Sequence, residues 1–155
     1  MKWKLPPKIK IYEALGCIGD KRIEVSGNEA KVFSSSRGKF YSVKHSEENN
    51  AIMCNDNGSY WQGYLGYPSI AFLMLKGRIK FNQESAEAFK DIEWKDLNTK
   101  FKRDYWKTEE FALEKAKEKG LDVNKLLEDI NNIYEQIKKL ELNLFGEKTK
   151  PPEGY

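Results

Sequence analysis

The sequence predicts an α+β fold: a small antiparallel sheet with an N-terminal helix and a buried helix, followed by a C-terminal helical hairpin. Three observations predict it. Residues 30–45 alternate in period two about a tight turn, the pattern of a hairpin with one buried face. Residues 69–75 are apolar nearly all round, as in a helix enclosed by other elements. From residue 81 the composition turns to charged helix, and Val123, Leu126, Ile130, Ile133, Ile137, Leu140 and Leu144 follow at steps of three and four. The chain divides accordingly into an α+β unit over residues 1–80, a helical segment over 81–145 packed on it, and a tail over 146–155 expected to be disordered.

Each element has its own signal. Pro6-Pro7 precedes Lys8-Ile-Lys-Ile-Tyr-Glu-Ala-Leu-Gly16, and proline in the first turn favours a helix. The alternation Lys8-Ile9-Lys10-Ile11 equally suits a strand. Gly19-Asp20 ends this element, and Arg22–Val25 reads as a short strand closed by Ser26-Gly27-Asn28. Ala30–Ser35 and Lys39–His45 form the clearest hairpin, turning at Ser36-Arg37-Gly38. A second turn at Glu47–Asn50 leads to a strand at Ala51–Cys54. Asn55–Ser59 is loop chemistry, and Tyr60–Tyr67 is aromatic and glycine-rich. Pro68 opens the buried helix and Gly77 closes it. Thr108 is the expected N-cap of a helix over 109–119, Gly120 ends that helix, and Asp122 caps the last one.

A chain of 155 residues is one domain with room for a real core, burying about 70% of its unfolded surface. The longest apolar run, Ile70–Leu75, is far short of the ~20 residues that span a bilayer, so no membrane partner is expected. The N-terminus lacks the apolar run of a secretory signal. Two cysteines, Cys17 and Cys54, make no disulfide framework, so a cytoplasmic location is expected. The Lys, Ile and Asn content suggests an AT-rich prokaryotic source. Residues 1–80 hold 13 basic and 7 acidic side chains, while residues 81–155 hold 14 and 17. The basic half suits an anionic partner, and it equally suits attraction between the two halves.

Most catalytic motifs are missing. One histidine, His45, excludes a His-rich metal site, and at a strand end it is expected to be exposed. Cys54 reads as a small buried residue rather than a nucleophile. Asn55-Asp-Asn-Gly58 fails as a calcium loop, because registration on the glycine puts Met53 and Tyr64 at the end positions. Ser34–Lys39 is a hairpin turn rather than a phosphate loop. The acidic residues of the second half alternate with lysine, as on a solvated helix surface.

The block Ala30–Gly77 resembles a SWIM-type zinc finger whose ligands have mostly been replaced. Val32-Phe-Ser-Ser-Ser36 and Tyr41-Ser-Val43 stand in its two strands. Cys54 stands where the family has a Cys-x-Cys pair, with Ile52 or Asp56 in place of its mate, and Tyr67-Pro68-Ser69 stands where Cys-x-His opens a helix. The match covers residues 9–79. A tetrahedral zinc needs four ligands. The resemblance therefore implies a fold without metal or other cofactor, and a binding role toward nucleic acid or protein.

The expected function is a non-catalytic, regulatory or nucleic-acid-associated binding module. The alternative is protein interaction or self-association through the C-terminal helices, as a monomer or weak homodimer. An enzyme is the third reading. Tyr60, Trp61 and Tyr64 have the right types for stacking bases, and Arg37, Lys39, Lys76, Arg78, Lys80 and Arg103 for holding phosphates. The same aromatics would serve equally as core beneath a long loop. Lys100–Lys107 is a second basic-aromatic segment, expected on one helix with Phe101 and Tyr105 inward and Lys102, Arg103 and Trp106 outward.

Overall fold

Alternation along the strands decides which face of the sheet is wet. In the computed structural model, which describes residues 1–154, β1 (Ile23–Ser26), β2 (Glu29–Phe33), β3 (Phe40–Ser46) and β4 (Ala51–Cys54) form an antiparallel meander. Ala30, Val32, Tyr41, Val43 and His45 are buried, while Glu29, Lys31, Phe40, Ser42 and Lys44 are exposed. Cross-strand pairing aligns the buried set, with Val32 opposite Tyr41 and Val43 between Ala30 and Cys54. β2 and β3 therefore present one face to the helices and one to water, whereas β4 is buried along its whole length.

The covering layer is helical: α1 (Ile9–Gly19), α2 (Tyr67–Leu75), α3 (Gln83–Ala88), α4 (Trp94–Lys100), α5 (Tyr105–Glu118) and α6 (Val123–Leu140). α2 packs on β1, β3 and β4, and α1 packs on α2, α3, α5 and α6. Every residue of α1 from Ile11 to Ile18 is buried, so this helix is the centre of the core. Gly16 permits that position: a Cβ there would overlap the Trp94 indole nitrogen and the Phe89 carbonyl. One apolar cluster runs from Ile9 through the sheet to Ile137, joining both halves of the chain. The mixed α+β class, N-terminal helix and C-terminal helices are as the sequence pattern predicts. No described helix is long and apolar enough to cross a membrane.

Several boundaries differ from the expectation. The seam of the last helix stops at Leu140 rather than Leu144. Asn50 Nδ2 donates to the carbonyls of Leu140 (3.1 Å) and Glu141 (3.3 Å), and Glu141 is left-handed at φ 44°. This turns the chain so that β5 (Asn143–Leu144) joins β4 in parallel. Thr108 does not cap α5, which begins at Tyr105; it is buried inside the helix with Oγ1 3.3 Å from Asn98 Oδ1. Residues 100–107 are not one helix, because Lys102 (φ 52°) and Arg103 (φ 63°) are left-handed and form the corner between α4 and α5. Asp122 does cap α6, accepting from the backbone N–H groups of Asn124 and Lys125.

An N-terminal extended segment, absent from the sequence expectation, is stitched along the sheet. Trp3 N–H donates to Leu142 O, Trp3 Nε1 donates to Ile52 O (2.8 Å), and Lys4 N–H donates to Gly63 O. The tail over 146–154 has no helix or strand. Lys148 Nζ donates to Tyr60 O (3.4 Å), and Lys39 Nζ donates to Pro152 O (3.5 Å).

Candidate functional site

At the end of the sheet where β2 and β4 finish and β3 begins, several elements converge without filling the space between them. The result is a cleft of about 750 Å³, the size of ordinary small-molecule pockets. Lys10 and Glu13 of α1, Arg22 before β1, Ser34 and Ser35 after β2, Tyr41 of β3 and Asp56 after β4 line it from the sheet side. Trp61, Tyr64 and Tyr67 line it from the aromatic segment, and Trp94, Lys95, Asn98, Thr99, Lys102, Arg103 and Tyr105 from the α4–α5 corner.

The deep charges come in pairs. Lys10 Nζ lies 2.8 Å from Glu13 Oε2, and Asn98 Nδ2 donates to Glu13 Oε1 at 3.2 Å. Burial opposes the Lys10 charge, but Glu13, Tyr64 and Tyr105 beside it hold its pKa above the ordinary lysine range. Arg22, only 1% exposed, donates from Nε to Asp20 Oδ2 (3.0 Å) and from Nη1 to Phe33 O (2.7 Å). Its Nη2 is buried with no hydrogen-bond partner among the described residues, and its guanidinium sits 6.0 Å from the Tyr67 ring centre. Burial pushes the Tyr64 phenol up to about 12, against the pull of Lys10, and raises those of Tyr41 and Tyr67 further.

Asp56 is committed to structure. Its carboxylate accepts from Ser59 N–H (3.2 Å) and Ser59 Oγ (2.5 Å), fixing one turn of π-helix over Gly58–Gln62. A Cβ at Gly66 would overlap this carboxylate, so the glycine allows the aromatic segment to close against it. Burial raises the Asp56 pKa, while the Ser59 bonds oppose the rise.

The rim differs from the floor. Lys102 and Arg103 have no carboxylate oxygen within 4.0 Å among the described residues. Their left-handed corner carries them to the mouth of the cleft. Trp61 is 63% exposed and sits edge-on to Tyr60 with ring centres 4.7 Å apart; Trp106, beside the same corner, is 68% exposed. Desolvation first, and the nearby Lys95 ammonium second, lower the pKa of Lys39.

The structure thus separates the residues that the sequence suggests as one set. Trp61, Tyr64 and Arg103 share the cleft, Tyr60 backs Trp61, and Lys39 neighbours Lys95 at its edge. Arg37 lies at the β2–β3 turn, where its Nη2 donates to Asp20 O (3.1 Å). Lys76, Arg78 and Lys80 belong to the opposite end of the sheet: Lys76 bonds Gly27 O, Arg78 lies 3.7 Å from Glu47, and Lys80 bonds Gln136 through its backbone. His45 is buried rather than exposed, since Phe72 of α2 lies against it with ring centres 5.6 Å apart. Cys54 is buried with its thiol pKa raised, and no group of three His, Cys, Asp or Glu side chains among the described residues could hold a metal ion.

Sequence reasoning missed Arg22, Lys10, Glu13 and Asn98. Lys10 and Glu13 did carry a signal, since two charges at i,i+3 spacing inside an otherwise apolar helix need each other once buried. Arg22 carried none: Asp20 lies two residues away as in any local charge pair, and the Phe33 carbonyl that completes its burial reaches it only through the folded sheet.

Fold and site together define an α+β protein with one helix-covered sheet and a charged, aromatic cleft at the sheet's end. A family model described as uncharacterised conserved protein UCP014422 matches residues 3–143, and the chain belongs to that family. No curated protein matches the chain, and no solved structure matches it.

Proposed function

We propose that the protein is a non-catalytic binding module for single-stranded nucleic acid, and that the cleft is its binding site. The observation that carries the reading is the meeting of Trp61 and Arg103 in one cleft from segments far apart in sequence. An exposed indole offers a base a stacking face, and unpaired rim cations offer phosphate contacts. Among the described residues the lining holds five cationic side chains against two carboxyls, a balance that suits an anionic strand. The commitment of Asp56 to Ser59 favours binding over acid–base chemistry. Self-association through the last helix has less support, because Leu126, Ile130, Ile133 and Ile137 are buried within the chain's own core. The SWIM-type resemblance agrees in role class and rests on the order of strands, with Cys54 ending β4 and Tyr67 opening α2.

The test is fluorescence anisotropy with a labelled thymidine octamer and a matched duplex at low salt. We expect the single strand to bind more tightly, with affinity falling as salt rises through counterion release. Trp61→Ala should weaken binding about tenfold, as expected for loss of one stacked base. Lys102→Ala with Arg103→Ala should flatten the salt dependence. No binding of either probe at low salt would overturn the reading.

A further inference from the structure

We infer that the floor of the cleft receives one splayed-out nucleobase and selects a base that offers a carbonyl acceptor to Arg22. The inference rests on the nucleic-acid reading above and specifies what enters the site. Charge distribution separates the two levels of the cleft. At the floor each cation has its carboxylate, Lys10 with Glu13 at 2.8 Å and Arg22 with Asp20 at 3.0 Å, so the deep space is close to neutral. A phosphate entering there would lose its hydration and meet no uncompensated charge. A base is neutral and loses far less. The rim cations Lys102 and Arg103 lack carboxylate partners among the described residues and are placed for the backbone phosphates outside.

Arg22 gives the floor its selectivity. Arg22 lines the cleft, is 1% exposed, and has spent Nε and Nη1 on Asp20 and Phe33. Nη2 is left with two N–H groups and no acceptor among the described residues. A buried donor without a partner is costly, and a ligand acceptor that reaches it recovers that cost. Asp20 and the Phe33 carbonyl hold the side chain in place, so little entropy is lost when the acceptor arrives. A ring keto oxygen meets the requirement. An exocyclic amino group at the same place presents donor to donor and is rejected. Tyr41, Tyr64 and Tyr67 give the flanking walls the aromatic character that a planar base requires.

Hypoxanthine and adenine test this directly, because the two purines exchange the 6-keto acceptor for a 6-amino donor with little change of size. The probe is an octamer of abasic spacers carrying a single base at its centre, measured by anisotropy beside the thymidine octamer. We expect the hypoxanthine probe to bind about tenfold or more tightly than the adenine probe, the difference expected for one charge-assisted hydrogen bond gained or refused. Arg22→Lys keeps a cation for Asp20, removes Nη2, and should bring the two probes to the same affinity. If that variant does not fold, the comparison on the wild-type protein still decides. Equal binding of the two probes, with the thymidine octamer bound, overturns the selectivity and leaves the nucleic-acid reading standing. Failure of all three probes to bind overturns both.

Discussion

Lys10 and Glu13 form an ion pair inside the protein, with Nζ 2.8 Å from Oε2 and side chains only 14% and 6% exposed. One turn of α1 supplies both, so each charge is the other's solvent. Removing one leaves the other buried and uncompensated.

Glu13→Gln should therefore destabilise the protein by about 3–5 kcal/mol in urea unfolding. Replacing both, with Lys10→Met and Glu13→Leu, should return stability to within about 1 kcal/mol of wild type or raise it. Asn98 loses its acceptor in that double variant but is only half-buried and can turn to water. A double variant as unstable as Glu13→Gln would mean that the pair contributes through more than mutual compensation.

Asp56 and Ser59 give a second prediction, with a definite sign in pH. The folded pKa of Asp56 is raised, chiefly by burial, above the ordinary value near 3.9. Its contribution is therefore fully favourable below about pH 3.9 and is lost as pH rises through the folded pKa. Asp56→Asn can still accept from Ser59 N–H and donate to Ser59 Oγ, so it should cost less than about 1 kcal/mol at neutral pH. The advantage of wild type over this variant should grow from pH 7 to pH 4. Asp56→Ala leaves two buried groups of Ser59 without their partner and should cost about 2 kcal/mol or more at any pH. A wild-type advantage that shrinks on acidification would show that the carboxylate is favoured by folding.

The meander and α2 were legible because their signals are local. Alternation in Val32, Tyr41 and Val43 needs only the hairpin turn, and a helix apolar nearly all round, beginning at Tyr67-Pro68, is buried wherever it packs. β5 was illegible because it consists of Asn143 and Leu144 alone, and it exists by virtue of pairing with β4 across most of the chain. The heptad steps ran through it without a break. The stop came from Asn50, whose side chain caps a helix that lies far off in sequence.

The site divides in the same way. Trp61 and Arg103 could be named because exposed aromatics and basic residues suit stacking and phosphate contacts by type. That they share a cleft depended on two consecutive left-handed residues, Lys102 and Arg103, in a stretch whose composition suits a helix. Arg22 could not be named, because its unspent Nη2 is a property of the packed sheet. Lys76, Arg78 and Lys80 suit phosphate contacts by type as well as Arg103 does, but α2 carries the chain to the sheet's other end before they are reached.

His45 predicts acid sensitivity. Both ring nitrogens are buried without partners among the described residues, and the ring packs against Phe72. Burial lowers its pKa, Arg78 and Lys76 lower it further, and Glu47 opposes them. With a folded pKa below the ordinary value near 6.5, its neutral form is fully compatible with folding above that pH. Stability is lost as pH falls from about 6.5 toward the folded value. His45→Leu fills the space against Phe72 without a titrating group. It should match or exceed wild type at pH 7.5, and its advantage should widen by pH 5, read as thermal midpoints across that range. An advantage that stays constant with pH would remove His45 as the cause.

The last helix supplies a prediction about assembly. Leu126, Ile130, Ile133 and Ile137 form its buried stripe, with Ile133 fully buried. α1 and α5 of the same chain cover it, so the stripe is not the open seam of a coiled coil. Ile133→Asp places a carboxylate among aliphatic side chains with no partner, which should cost several kcal/mol and lower the unfolding midpoint accordingly. Ile133→Ala removes volume without adding charge and should cost about 2–5 kcal/mol, the cost of a cavity. Trp106→Glu, at a residue 68% exposed, should leave stability within about 0.5 kcal/mol. Sedimentation separates folding from association. If the stripe is internal, Ile133→Asp yields a destabilised or unfolded chain at every concentration, and no folded monomer arises from a dissociated dimer. A wild-type dimer that this substitution converts into a stable, folded monomer would require the stripe to face a second copy, and would displace the intramolecular packing of α6.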